Sequence, residues 1–237
     1  MTMEQKLAQF VEKARTALGD RLVAAILYGS GAGGEHHGKF SDLNVLCVVT
    51  EVTARELADA EPVVKWWTGE GNPSPLMLSR AEVRNSTDVF PIEFHDMLEQ
   101  RRVLYGDDVI AGLRIDRTFY RAQVEHDLFS KMLRLRQKAA AMLSDRDALL
   151  TLMLDSVSTF CVLLRHALLL GGIQPGVKKR ETISHLPEIG IDPAPFATLL
   201  DLREGKTKPK DVTPGDLFAA YLARIHAAVE YVDRLAK

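Results

Sequence analysis

Apolar residues recur at Leu7, Phe10, Val11, Ala14 and Leu18, the three-and-four spacing of a helix with one buried face, and predict a helix over Glu4 to Leu18 closed by Gly19. Two short apolar runs rich in β-branched residues, Leu22 to Tyr28 and Leu43 to Val49, read as strands. A second helical pattern runs from Thr53, a good N-cap, to Trp67, and Pro62 is a point at which it can divide. After the turn-forming stretch Gly69 to Pro75 come a short strand at Leu76 to Leu78 and a helical turn capped by Ser79 with Glu82. Phe90 to Phe94 and Val103 to Tyr105 read as two further strands.

Beyond Gly106-Asp107-Asp108 the pattern changes. Arg117 to Leu143 and Asp147 to Leu170 are long amphipathic segments without strand signals, the second ended by Gly171-Gly172. Shorter helices are predicted near Lys179 to Leu186, Pro193 to Arg203 and Pro214 to Leu235. The expected architecture is an α/β (α+β) head with a mixed sheet over residues 1–110, and an all-α helical bundle over 111–237. The chain crosses between them near Asp108 to Asp116.

The 237 residues are enough for one large domain or two small ones with a proper core. A composition of 46% hydrophobic and 26% charged residues, with a formal net charge of -2, is that of a soluble globular protein and disfavours bulk nucleic-acid binding. The two cysteines, Cys47 and Cys161, sit in apolar runs, as buried reduced thiols of a cytoplasmic protein do. Arg165 and His166 interrupt the longest apolar stretch, and no membrane span is expected.

The most informative stretch is Leu27-Tyr28-Gly29-Ser30, a glycine-rich loop from Gly31 to Gly38, and then Asp42-Leu43-Asn44. Gly-Ser at a strand end lets backbone N–H groups approach an anion, and the serine hydroxyl adds a donor. Residues two apart on a strand share a face, so Asp42 and Asn44 can converge on one ion. A triphosphate beside a Mg²⁺ ion suits this layout, because Mg²⁺ is held by few carboxylates plus phosphate oxygens. A third carboxylate from a neighbouring strand would complete the site. Glu93, the one acid in the apolar run Val89 to Phe94, is the first candidate, and Asp96 is the fallback.

These residues resemble the polymerase-β-type nucleotidyltransferase superfamily, whose pattern is Gly-Ser, a spacer of about a dozen residues, then two acids flanking a hydrophobe. Phe90 to Phe94 and Val103-Leu104-Tyr105-Gly106 resemble later strands of the aminoglycoside-type and minimal members. The resemblance covers roughly the first hundred residues and extends less specifically to the helical tail. It implies metal binding by Asp42, Asn44 and Glu93, and phosphate contacts from Gly29 and Ser30. It also implies an NTP substrate, a small-molecule or protein acceptor hydroxyl, and release of pyrophosphate. The departure is Asn44, an amide where the pattern has an acid. At ~4 Å and an effective dielectric of ~20, one lost charge–charge term is about 4 kcal/mol. Either metal binding is severely weakened, or the ion enters on the triphosphate and is held by Asp42 and Glu93.

Other features have plainer explanations. Glu35-His36-His37 is a polar loop tip without further zinc-like ligands, and Lys39 is either a solvated lysine or a phosphate contact. Trp66-Trp67 closes a core edge or offers a stacking surface. Arg180 and His185 resemble the Arg-x4-His motif of HEPN-type ribonucleases, although a charged helix start produces the same short pattern. Lys131, Arg134, Arg136 and Lys138 make one side of the first tail helix basic, a solvated face or a phosphate-reaching one. Cys161 and His166 fit core packing. Two functions remain open: a metal-dependent nucleotidyltransferase, or a catalytically degenerate head that binds nucleotide or a partner.

Overall fold

A computed structural model describes residues 1–33 and 43–235. The chain forms two compact units, Met1–Arg117 and Thr118–Lys237.

The first unit opens with α1 (Met3–Leu18) under a capping box. The Gln5 N–H donates to Thr2 Oγ1 at 3.2 Å, and the Thr2 N–H donates to the Gln5 side chain at 2.9 Å. The helix buries Leu7, Phe10, Ala14 and Leu18, the stripe its periodicity requires. β1 (Leu22–Tyr28) and β2 (Asn44–Val49) run antiparallel. α2 (Ala54–Gly69) follows under a second capping box from Thr53 and Glu56. Pro62 does not divide α2. Pro62 and Ala58 are both exposed, so the carbonyl deprived of its partner lies on the wet side of the helix.

β3 (Leu76–Ser79) pairs parallel with β2, and α3 (Arg80–Asn85) begins at the Ser79–Glu82 capping box. α4 (Pro91–Glu99) leads into β4 (Arg101–Gly106), which pairs antiparallel with β1. Among the described residues the mixed sheet has the order β3-β2-β1-β4. Gly106 is required where β4 meets β1, since a Cβ there would stand 2.0 Å from the Val23 carbonyl oxygen.

The strand expected over Phe90 to Phe94 is instead the first turn of α4. Pro91 occupies a first-turn position, and Pro91, Phe94 and Met97 are buried at helical spacing. Glu93 therefore projects from a helix and not from a strand.

Both faces of the sheet are covered. Val45, Cys47 and Val49 pack with Leu7, Phe10, Ala60 and Trp67 on the side of α1 and α2. Leu46 and Val48 join Ala24, Ile26, Val83, Phe94 and Met97 on the side of α3 and α4. A register shift between Leu22 and Ala24 puts Leu22 on the same side as Leu27 despite its even number. Ile110 is fully buried in the second of these clusters, with Leu113 and Ile115 against it, so the chain beyond β4 still packs on the first unit. Arg101 fastens that segment. Its guanidinium donates to the Leu98 carbonyl at 2.6 Å and to both Asp108 oxygens at 2.9 Å.

The second unit is helical throughout its elements: α5 (Tyr120–Ala140), α6 (Arg146–Leu170), α7 (Lys179–Ser184), α8 (Ala194–Arg203) and α9 (Pro214–Arg234). α6 is its core helix, packed by α5, α8 and α9 and buried continuously from Leu163 to Leu168. Among the described residues it is the one helix long and apolar enough to cross a membrane by composition, and the core helix of a globular unit has that composition too. Tyr221 is buried against Phe160 and Phe196, with its hydroxyl 3.1 Å from Ser156 Oγ.

Candidate functional site

The pairing of three strands sets one polar row at the end of the sheet. Tyr28 lies opposite Asn44 on β2 and opposite Arg101 on β4, and directly opposed residues on adjacent strands share a face. Asn44 is two positions from Leu46, and Tyr28 two from Ile26, so the row faces the side covered by α4. Arg101 is already committed to Leu98 and Asp108. Asn44 and Tyr28 are half-buried, and no side-chain hydrogen bond among the described residues ties up either of them.

The chain turns sharply just after Tyr28. Gly29 has φ +71°, a conformation that glycine adopts at little cost, and a Cβ there would come 3.6 Å from Asn44 Nδ2. Its carbonyl accepts the Ala32 and Gly33 N–H groups at 2.9 and 3.3 Å, closing a tight turn. Its own N–H donates to the Gln100 carbonyl at 3.2 Å, so what Gly29 brings to the turn is conformation and close approach. Ser30 follows within the turn, with its side chain outside the described part. Asp42, and with it Lys39 and the Glu35-His36-His37 tip, lies outside the described residues.

Glu93 reaches this end of the sheet from the first turn of α4, where it is exposed. Burial pushes the Tyr28 phenol above its ordinary pKa, and the nearby Glu93 charge pushes it further in the same direction. The Glu93 charge is thus near enough to be felt at the Tyr28 phenol. Asp96, the fallback acid, is half-buried farther along α4.

None of the four strands carries a carboxylate: β1 is LVAAILY, β2 begins at Asn44, β3 is LMLS and β4 is RRVLYG. The described strand beside β2 therefore supplies no third acid, and the polar row at the sheet end comprises the Asn44 amide, the Tyr28 phenol and the Arg101 guanidinium. Asn44 and Glu93 offer oxygen ligands suited to Mg²⁺ but one full negative charge between them.

Tyr28 and Gln100 are the site residues that sequence reading did not assign. Tyr28 reads as the end of an apolar strand, and its even-numbered position with Ala24 and Ile26 is the signal that it faces Asn44. Gln100 carries no local signal.

Trp67 is fully buried with its ring 4.8 Å from Phe10, and Lys13 sits over Trp66. Arg180 donates to Glu204 and Asp201, while His185 pairs with Glu188 at 2.6 Å, so the Arg-x4-His pair is taken up by separate acids. Lys131, Arg134, Arg136 and Lys138 are exposed on α5. Cys47 and Cys161 are reduced and buried, and burial pushes the Cys47 thiol up to about 12. His166 shares a hydrogen bond with the Tyr120 hydroxyl inside the helical unit.

No protein-family model matches the chain, and no curated protein matches it. Among solved structures, spectinomycin adenyltransferase AAD(9) from Enterococcus faecialis, determined with ATP and spectinomycin, aligns at TM-score 0.64 with 11% identity, covering 98% of this chain and 100% of that one. A toxin–antitoxin structure with AMP-PNP aligns at TM-score 0.31 with 14% identity over 43% of this chain and 74% of that one, a likeness too slight to carry an argument.

Proposed function

From a chain that has the fold of a polymerase-β-type nucleotidyltransferase, a head with a mixed sheet followed by a helical unit, we propose a soluble, cytoplasmic nucleotidyltransferase. It moves a nucleoside monophosphate from an NTP to the hydroxyl of a small molecule or protein. The observation that carries this reading is the close approach of the Gly29 turn to Asn44, opposite Tyr28, at one end of the sheet, with the Glu93 charge felt at the Tyr28 phenol. The adenyltransferase with the same fold was solved with ATP and spectinomycin, which supports a nucleoside triphosphate and a small-molecule acceptor as substrate classes.

In this mechanism the Gly29–Ser30 turn receives the triphosphate. The acceptor oxygen attacks the α-phosphorus in line, and the bond from that phosphorus to the bridging oxygen breaks. Pyrophosphate leaves with the electron pair. Glu93 takes the acceptor proton, and Tyr28 and Asn44 orient the phosphates as neutral hydrogen-bonding groups. Asp42, Asn44 and Glu93 would hold Mg²⁺, which when bound neutralises charge on the phosphate oxygens.

The amide at Asn44, where the family pattern has an acid, favours a second reading, a nucleotide-binding module without transfer activity. Calorimetry with ATP and the other NTPs, with and without Mg²⁺, together with pyrophosphate release over a panel of hydroxylated acceptors, separates the two. Transfer activity requires Mg²⁺-dependent binding lost in Asp42→Ala, plus pyrophosphate release with at least one acceptor. Binding that is unchanged without divalent ion would sink the transferase reading, and Mg²⁺-dependent binding without release would leave the binding module.

A further inference from the structure

Gln100 joins α4 to β4 and meets the glycine turn at both of its ends. Its N–H donates to the Asp96 carbonyl at 2.8 Å, closing α4, and its carbonyl accepts the Gly29 N–H at 3.2 Å. Its side-chain amide lies against the other end of the turn. A Cβ on Gly33 would stand 2.5 Å from Nε2, 3.0 Å from Cδ and 3.3 Å from Oε1 of Gln100. Gly33 is not among the glycines with positive φ, so its backbone conformation does not call for glycine. The Gln100 amide occupies the space where a side chain would go.

We propose that Gln100 is a positioning residue. It clamps Gly29 with its backbone and Gly33 with its side chain, and so holds the phosphate-receiving turn in register with the helix that carries Glu93. The functional part of this inference rests on the nucleotide reading of the turn, whereas the clamp itself is a matter of geometry.

Two substitutions act on the same contact from opposite sides. Gln100→Ala deletes the amide and keeps the carbonyl bond to Gly29. Gly33→Ala puts a methyl group where the amide stands, and the flexible end of Gln100 swings away to admit it. Each change in the full chain should weaken Mg·ATP binding about tenfold, and the double variant should be no weaker than either single one, because the contact can be lost only once. Hydrogen exchange at the residue 32 and 33 amides should rise about tenfold in both single variants, with the melting temperature held within about 2 °C. Gln100→Glu, which keeps the length of the side chain, should restore most of the protection. Effects that add in the double variant would overturn the shared-contact argument. If the unaltered protein binds no nucleoside triphosphate, the nucleotide reading fails, while exchange at residues 32 and 33 still decides the clamp: protection unchanged in Gln100→Ala overturns it.

Discussion

Two polar clusters in this chain are built in opposite ways. In the helical unit, the Arg180 guanidinium donates to Glu204 at 3.1 and 2.8 Å and to Asp201 at 2.5 Å, and Lys206 adds a 2.6 Å contact to Glu204. Each charge there faces its opposite, and the guanidinium holds the Glu204 carboxyl down at about 2. At the end of the sheet, Asn44, Tyr28 and Gln100 are neutral, and Glu93 is an exposed carboxylate on a helix. A cluster of matched charges fastens α7 to α8 and the segment after it. At the sheet end the described side chains Asn44 and Tyr28 are uncharged and half-buried, a poorer fastening than matched charges. The contrast predicts that mutations at the sheet end should change binding and rate while leaving stability alone, and that mutations around Arg180 should do the reverse.

The largest effect expected from this contrast is at Glu93. Glu93→Gln removes the proposed base without changing side-chain volume, and pyrophosphate release should fall by about 10²–10³-fold. Its exposure implies a change in unfolding free energy within about 0.5 kcal/mol. Single-turnover kinetics beside a urea melt checks both halves. A variant that melts early and transfers normally would put Glu93 with the structural cluster.

Asn44→Asp comes next. Restoring an acid at this position adds a negative charge beside the ion that a triphosphate brings. Mg²⁺ affinity, measured with a nonhydrolysable NTP present, should rise by about tenfold or more, equivalent to about 1.4 kcal/mol. A neutral or harmful result would mean that the Tyr28–Asn44 row has been shaped around the amide.

How much of this was legible before the structure depends on the range of the contacts. The strands Leu22–Tyr28 and Asn44–Val49 declare themselves through unbroken apolar runs, and α1 and α2 through caps and a three-and-four spacing, because those signals are local. Phe90 to Phe94 misled because five residues are too few to tell periods apart. Continuing the register to Met97 and giving weight to Pro91 reveals the helix. That error mattered for the site, since it set Glu93 on a strand and concealed that the described strands carry no acid. The Gln100–Gly33 contact joins residues far apart in the chain, and nothing in the local pattern of either announces it.

A smaller effect is expected around Arg180. The Glu204 carboxyl titrates at about 2 in the folded chain against an ordinary value of 4.5, so its pairing stabilises the fold fully above about pH 4.5. That contribution is lost as the pH falls from there toward about 2. Because solvent reaches Arg180, the net contribution at neutral pH is about 1 kcal/mol rather than the full value the shift implies. Glu204→Gln should lower the melting temperature at pH 7 by a few degrees and by much less near pH ~3, with nucleotide binding unchanged. Glu56 has the same sign: its carboxyl is also held at about 2, by the Thr53 hydroxyl first and then by Arg21, so the first unit should loosen over the same acid range.

The smallest effect, and the most discriminating, is at Tyr28. Tyr28→Phe keeps the ring packed against the core beside α4 and removes only the hydroxyl. If that hydroxyl serves as a neutral donor to the phosphates, its loss should raise KM for the NTP two- to fivefold, about 0.5–1 kcal/mol, with kcat nearly constant. Burial and the Glu93 charge both raise the phenol's pKa above 10. The donor therefore keeps its proton to higher pH than an ordinary phenol, and the alkaline fall in wild-type affinity should come later than an unperturbed tyrosine would give. In Glu93→Gln one of the two causes is gone, so the phenol ionises at lower pH and affinity should begin to fall sooner on the alkaline side. Nucleotide affinity measured against pH in the two proteins tests whether Tyr28, Glu93 and the nucleotide meet at one place. Identical alkaline limbs would separate Tyr28 from the site and return it to the core.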